Sequence, residues 1–100
     1  MDEENTAYID RSIELFIPEC MKNWRREAQL LTELVQKKDF ESVQKIGHNW
    51  KGLGKTVGFA KISIIGGDLE EAAKFHNTAK ILESSRLLDN YLDGVKIEYK

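Results

Sequence analysis

The chain has 100 residues, enough for one compact domain. Its composition, with 41% hydrophobic and 32% charged residues, predicts a folded rather than a disordered chain. A formal net charge of −2, with both signs mixed along the sequence, argues against the net basic surface that nucleic-acid binding needs. No apolar run approaches the ~20 residues of a membrane span. The first residues (MDEENT) are acidic, whereas a secretion signal begins with basic residues. Cys20 is the only cysteine, so no internal disulfide can form. We therefore expect a cytoplasmic protein, by default a monomer, that binds neither membrane nor nucleic acid.

The first half of the chain predicts a short helix followed by a long one. The short helix is expected over residues 10–16, with Ile13 and Phe16 facing the core. The long helix is expected over Pro18–Lys38, because a proline suits the first helical turn and apolar residues recur at intervals of three and four. These apolar residues are Met21, Trp24, Ala28, Leu31 and Val35.

Three more helices are expected in the remainder. Asp39 suits the cap of the next helix, and Gly58 its end. The apolar stripe between them is Phe40, Val43, Gly47, Trp50, Gly54 and Val57. Another helix is expected over Ala60–Phe75, and a last one follows a cap at Asn77 or Thr78. Their inner faces are expected at Ile62, Ile65, Leu69 and Ala72, and at Ile81, Ser85, Leu88, Leu92 and Val95.

No segment shows a convincing alternation of apolar and polar residues, so no strand is expected. The predicted fold class is all-α, an antiparallel four-helix bundle with a short additional N-terminal helix. We expect this bundle to be a single domain over residues 1–100.

The run GLGKT (Gly52–Thr56) has the composition of a nucleotide-binding P-loop. That motif requires a glycine five residues before its second glycine, and Asn49 stands at that position. It also follows a strand, whereas the residues before Gly52 have a helical pattern. We therefore expect no nucleotide site.

The glycines have a different role on each face of this helix. Those on the buried stripe would let a neighbouring helix approach closely, although glycine inside a helix costs ~1 kcal/mol relative to alanine. Gly52 falls on the opposite, charged face, where His48, Lys51 and Lys55 share one helix surface with it. An exposed neutral imidazole is a good nucleophile, and neighbouring ammonium groups can hold a phosphoryl group.

The run His48-Asn49-Trp50-Lys51-Gly52 matches the H-x-x-K-G signature of histidine-containing phosphotransfer (Hpt) domains, and the chain resembles that family over nearly its whole length. Trp50 stands where leucine is common, and Leu53 where a small residue is usual. Further matches are Gly58, the repeat Ile62…Ile65…Leu69-Glu70, the start Asp39-Phe40, and the segment Ile17-Pro18-Glu19.

The resemblance implies a four-helix bundle that carries phosphate on one exposed histidine. His48 would be phosphorylated, at Nε2, and would exchange phosphate with an aspartate on the receiver domain of a response regulator or of a hybrid sensor histidine kinase. Lys51 would lie near the phosphoryl group, and Glu70 would accept a hydrogen bond from Nδ1 and fix the tautomer. The residues expected to face the partner are Gly52, Lys74, Lys45 and Lys55. The protein would be a phosphocarrier rather than an enzyme, with no ATP site, cofactor or metal.

Two questions stay open at this level. The helical wheel directs His48 away from the core, so its contact with Glu70 depends on the twist of the bundle. A helical interaction module that does not transfer phosphate is the alternative function. His76, at the end of a helix, is interpreted as structural, and Cys20, His48 and His76 have no metal-binding spacing.

Overall fold

The computed structural model describes residues 5–100, which are mostly helical. Two short strands flank four helices and a 3₁₀ turn. In chain order the elements are β1 (Thr6–Ile9), the 3₁₀ turn (Arg11–Phe16), α1 (Ile17–Gln36), α2 (Phe40–Val57), α3 (Ala60–Lys74), α4 (Thr78–Gly94) and β2 (Lys96–Tyr99). No helix within residues 5–100 is long and apolar enough to cross a bilayer.

The boundaries of α2 and α4 follow from local side-chain chemistry, as predicted. Asp39 caps α2 by accepting hydrogen bonds from the Ser42 backbone N–H at 3.1 Å and hydroxyl at 2.7 Å. Asn77 caps α4 by accepting from the Lys80 N–H at 3.2 Å. Gly58 ends α2 in the left-handed conformation, with φ of 108°, which glycine adopts without strain.

The four helices share one hydrophobic core. Each contacts the next in the order α1, α2, α3, α4, and α4 also packs on α1. Trp24 of α1 packs edge-to-face on Phe59, with ring centroids 5.4 Å apart. The largest fully buried side chains also include Ile9, Ile17, Leu31, Trp50, Ile62, Leu69, Ile81 and Leu88.

Helices α2 and α3 pack backbone against backbone. A Cβ at Gly47 would lie only 2.5 Å from the backbone nitrogen of Glu70, and a Cβ at Gly66 only 2.5 Å from that of Lys51. No side chain fits at either position without moving a helix. The stripe glycine at position 47 therefore has the packing role that the sequence predicts, and Gly66 of α3 shares it.

A two-stranded parallel sheet corrects the purely all-α prediction. Strands β1 and β2 pair with Ile9 opposite Tyr99, and Lys100 N–H donates to the carbonyl of Ile9 at 3.0 Å. The period-two signal is present in residues 95–100, where Val95, Ile97 and Tyr99 alternate with charged residues. The prediction of no strand was wrong because this alternation was assigned to the end of a helix.

The predicted N-terminal helix is a 3₁₀ turn, because Ile13 has non-helical dihedrals (φ −111°, ψ 17°). Ile13 packs partly buried against the core, as predicted. Phe16 does not, since it is 50% exposed. The kink at Ile13 therefore leaves Phe16 at the surface.

The inner face of α4 also differs from the predicted one at two positions. Ser84 is buried, whereas the half-buried Ser85 donates to the carbonyl of Ala28 at 2.7 Å and so joins α4 to α1. Val95 follows α4 in an extended conformation and leads into β2.

Candidate functional site

His48 lies near the middle of α2 with its side chain 70% exposed. Its Nδ1 is 3.1 Å from Oε2 of Glu70 on α3, the contact that the helical wheel left open. An ionised carboxylate only accepts hydrogen bonds, so Nδ1 carries the proton. In the neutral ring, Nε2 then has a free lone pair.

The close packing of α2 and α3 produces this contact. Gly47 precedes His48, and the missing side chain lets the backbone of Glu70 lie directly against α2. The Glu70 side chain, 21% exposed, needs only to turn across the helix surface to reach the imidazole. The two helices thus position the carboxylate through backbone contact.

Lys51 forms an ion pair with the other oxygen of the same carboxylate. Its Nζ lies 3.8 Å from Oε1 of Glu70, and its aliphatic chain passes Gly67, where a Cβ would lie 3.8 Å from Lys51 Cδ. Ser63 of α3 donates to the Lys51 carbonyl at 2.8 Å and fixes that turn of α2. His48, Lys51 and Glu70 form one group, called here the histidine cluster.

Open space lies beside the histidine cluster at Gly52. A Cβ at this position would meet no atom within 4 Å. Next to it, an open groove of about 540 Å³ runs between α1 and α2, with Phe16, Trp24 and Leu53 among its lining residues. Phe16, which the sequence analysis expected to face the core, lies in this groove instead.

Trp50 fixes one wall of this groove. The ring is fully buried, and its indole N–H donates to Oε1 of Glu27 on α1 at 2.9 Å. This bond joins α1 to the helix that carries His48. Trp50 stands where leucine is common in the resembled family, and its indole N–H has the Glu27 carboxylate as a hydrogen-bond acceptor. The periodicity of apolar residues does not predict this pair.

The other candidate lysines lie outside the histidine cluster. Lys45 lines a shallow pocket with His48 and Glu70. Lys55 is exposed one turn after Lys51 on α2, and Lys74 is exposed at the end of α3, one turn after Glu70. These side chains are available to a partner and make no part of the Nδ1 contact.

His76, which the sequence analysis interpreted as structural, lies exposed just after the end of α3. Its ring stacks on Phe40 with centroids 4.2 Å apart and planes 10° from parallel. Cys20 is buried, and this burial raises the pKa of its thiol. Within residues 5–100, no group of three or more histidine, cysteine or acidic side chains is arranged to hold a metal ion.

In comparisons with known proteins, no family model, no curated sequence and no solved structure matches this chain.

Proposed function

We propose that this protein is a histidine phosphotransfer protein of a two-component phosphorelay. It carries a phosphoryl group on Nε2 of His48 between receiver-domain aspartates, or receives it from a hybrid sensor histidine kinase system. The observation that carries the proposal is the hydrogen bond of 3.1 Å between Nδ1 of His48 and Glu70 on an otherwise exposed ring. A proton held at Nδ1 makes Nε2 the nucleophile.

The surroundings of His48 support the same chemistry. Lys51 supplies an exposed cation beside the carboxylate that contacts the ring, with its side chain 58% exposed, and an ammonium group can bind an arriving phosphoryl group. The protein itself would be a phosphocarrier without a kinase activity or ATP site. The receiver would supply the acidic, metal-binding chemistry of its own phosphorylation site.

Docking would use the space at Gly52 and the adjoining groove. Phe16 and Leu53, which are 50% and 36% exposed, offer apolar surface there, and Lys45, Lys55 and Lys74 offer positive charge to an acidic partner site. The proposal includes an antiparallel four-helix bundle, supported by the ring of helix contacts. A monomeric state and a cytoplasmic location belong to it as well, the latter supported by the single cysteine.

A helical interaction module without phosphotransfer is the second candidate. The observation that favours it is the apolar surface just before α1, where Leu15 of the 3₁₀ turn is 96% exposed. Such a surface can bind a partner whether or not His48 reacts. The histidine cluster has no purpose in this alternative.

The test is phosphate transfer from several phosphorylated receiver domains to the purified protein. We expect acid-labile, alkali-stable label on the wild type and on His76→Gln, and none on His48→Gln. Label retained by His48→Gln would mean that another residue reacts. No label on a wild type that is folded by circular dichroism would favour the interaction module.

A further inference from the structure

The carboxylate of Glu70 contacts two groups at once. Oε2 lies 3.1 Å from Nδ1 of His48, and Oε1 lies 3.8 Å from Nζ of Lys51. The proton on the imidazole and the ammonium group therefore compete for one negative charge. The charged groups around the imidazole are Glu41, Lys45 and Lys51 of α2, Glu70 of α3, and Glu19, Arg26 and Glu27 of α1.

The position of the Nδ1 proton decides how readily phosphate leaves the ring. In the forward step, the Nε2 lone pair forms a bond to phosphorus, and the bond from phosphorus to the donor carboxylate oxygen breaks with its electron pair. Nε2 had no proton to lose, so the product keeps Nδ1–H and its ring is cationic.

When the N–P bond breaks, its electron pair returns to the ring. If Nδ1 still holds its proton, the leaving group is neutral imidazole. If Nδ1 has lost the proton, the leaving group is an imidazolide anion, which leaves far less readily. A carboxylate that stabilises Nδ1–H therefore makes the N–P bond labile.

We propose that Glu70 and Lys51 together set the lifetime of the phosphohistidine: Glu70 shortens it by holding the proton on Nδ1, and Lys51 lengthens it by competing for the same carboxylate. The inference rests on the proposed phosphorylation of His48 and adds a function for Lys51 that acts through Glu70. Lys51 is then a positioning residue for the carboxylate as well as a neighbour of the phosphoryl group.

The surroundings of Lys51 favour this coupling. Its carbonyl is held by the Ser63 hydroxyl at 2.8 Å, and its aliphatic chain passes Gly67 towards Glu70. Glu70 is the least exposed member of the cluster, at 21%, against 58% for Lys51 and 70% for His48. Glu70 is therefore the most constrained of the three side chains. We expect the exposed Lys51 to change the lifetime less than Glu70 does.

The experiment uses chemical phosphorylation by phosphoramidate, so that no receiver is needed. The half-life of the N–P bond is followed by phosphorus NMR from about pH 6 to about pH 10, a range that spans ring protonation. The variants are Glu70→Gln, Lys51→Met and the double variant. Glu83→Gln and Lys80→Met are the matched controls, because each removes a single exposed charge of the same sign from α4, which contributes no residue to the cluster or to the proposed docking surface.

We expect Glu70→Gln to lengthen the half-life by about 5-fold near neutral pH and to move its pH profile to lower pH, because a neutral acceptor holds the proton less tightly. Lys51→Met should shorten the half-life by about twofold. In the Glu70→Gln background that second effect should disappear, and the control variants should match the wild type.

Several results would overturn the inference. These are an unchanged or shorter half-life in Glu70→Gln, an equal effect of Lys51→Met in both backgrounds, or failure of phosphoramidate to modify His48. Failure of receiver domains to transfer phosphate, together with the expected half-lives, would instead reject the proposed function and leave the inference standing.

Discussion

Replacement of Gly52 by alanine should change stability and the proposed function in opposite directions. A Cβ at this position meets no atom within 4 Å, although Gly52 lies inside α2. Glycine in a helix interior is ~0.5–1 kcal/mol less favourable than alanine, and the methyl group has no neighbour to disturb. Gly52→Ala should therefore raise the melting temperature by about 2–8 °C for a domain of this size.

The same methyl group fills the space beside His48 that the proposed receiver needs. We expect Gly52→Ala to slow transfer from a phosphorylated receiver by about 10-fold or more, because small misplacements of reacting groups are costly. Gly94→Ala is the control, since a Cβ at the end of α4 also meets nothing within 4 Å. A lower melting temperature would refute the packing argument. A higher one with wild-type transfer would refute the role in docking.

Three other changes test the backbone and its caps. Gly47→Ala should cost ~1–3 kcal/mol in urea unfolding, because its Cβ would lie 2.5 Å from the Glu70 nitrogen; wild-type stability would contradict the close packing. Lys38→Gly should raise stability by ~1 kcal/mol, since Lys38 has φ of 58°; a loss would show that its side chain matters more than its backbone. Hydrogen bonds from Ser42 lower the pKa of Asp39, so its carboxylate stabilises the fold above its unfolded pKa. This stabilisation is lost as the pH falls through the lower folded value. The melting temperature of the wild type should therefore fall more steeply in acid than that of Asp39→Asn, and parallel curves would contradict this.

The four long helices could be predicted because each is specified within its own segment. Asp39 and Asn77 accept the capping hydrogen bonds that their residue types predict. Gly58 adopts the left-handed conformation at the end of α2. These signals act over one or two turns, and no distant contact is needed to interpret them.

The parallel sheet depends on contacts between opposite ends of the chain. Strand β1 has only four residues, too few for a firm period-two pattern, and its partner is β2. The alternation in β2 was detectable, but it also continued the helical spacing of Leu88 and Leu92 to Val95. Pairing with β1 decides between the two conformations, and a pattern within one segment does not contain that information.

The histidine cluster was predictable in its members and not in its geometry. His48, Lys51 and Glu70 were selected from spacing and resemblance. Their distances depend on how closely α2 and α3 approach each other. Two glycines allow this approach because they have no side chain, an effect that appears only once the two helices have packed together. Glu27 and Ser63 were missed for the same reason, because each contacts α2 from another helix.

The backbone contact between α2 and α3 therefore belongs to the site as much as its polar side chains do. Any side chain at Gly47 or Gly66 would press on the opposite backbone at 2.5 Å and move the helices apart. Glu70 would then withdraw from Nδ1, since it reaches His48 from the surface of α3. The imidazole would lose the partner that fixes its tautomer, and Nε2 would no longer be the favoured nucleophile. In the proposed function, two glycines that do not contact the phosphoryl group would therefore control which nitrogen accepts it. That role would account for glycines at helix positions where alanine has the higher helix propensity.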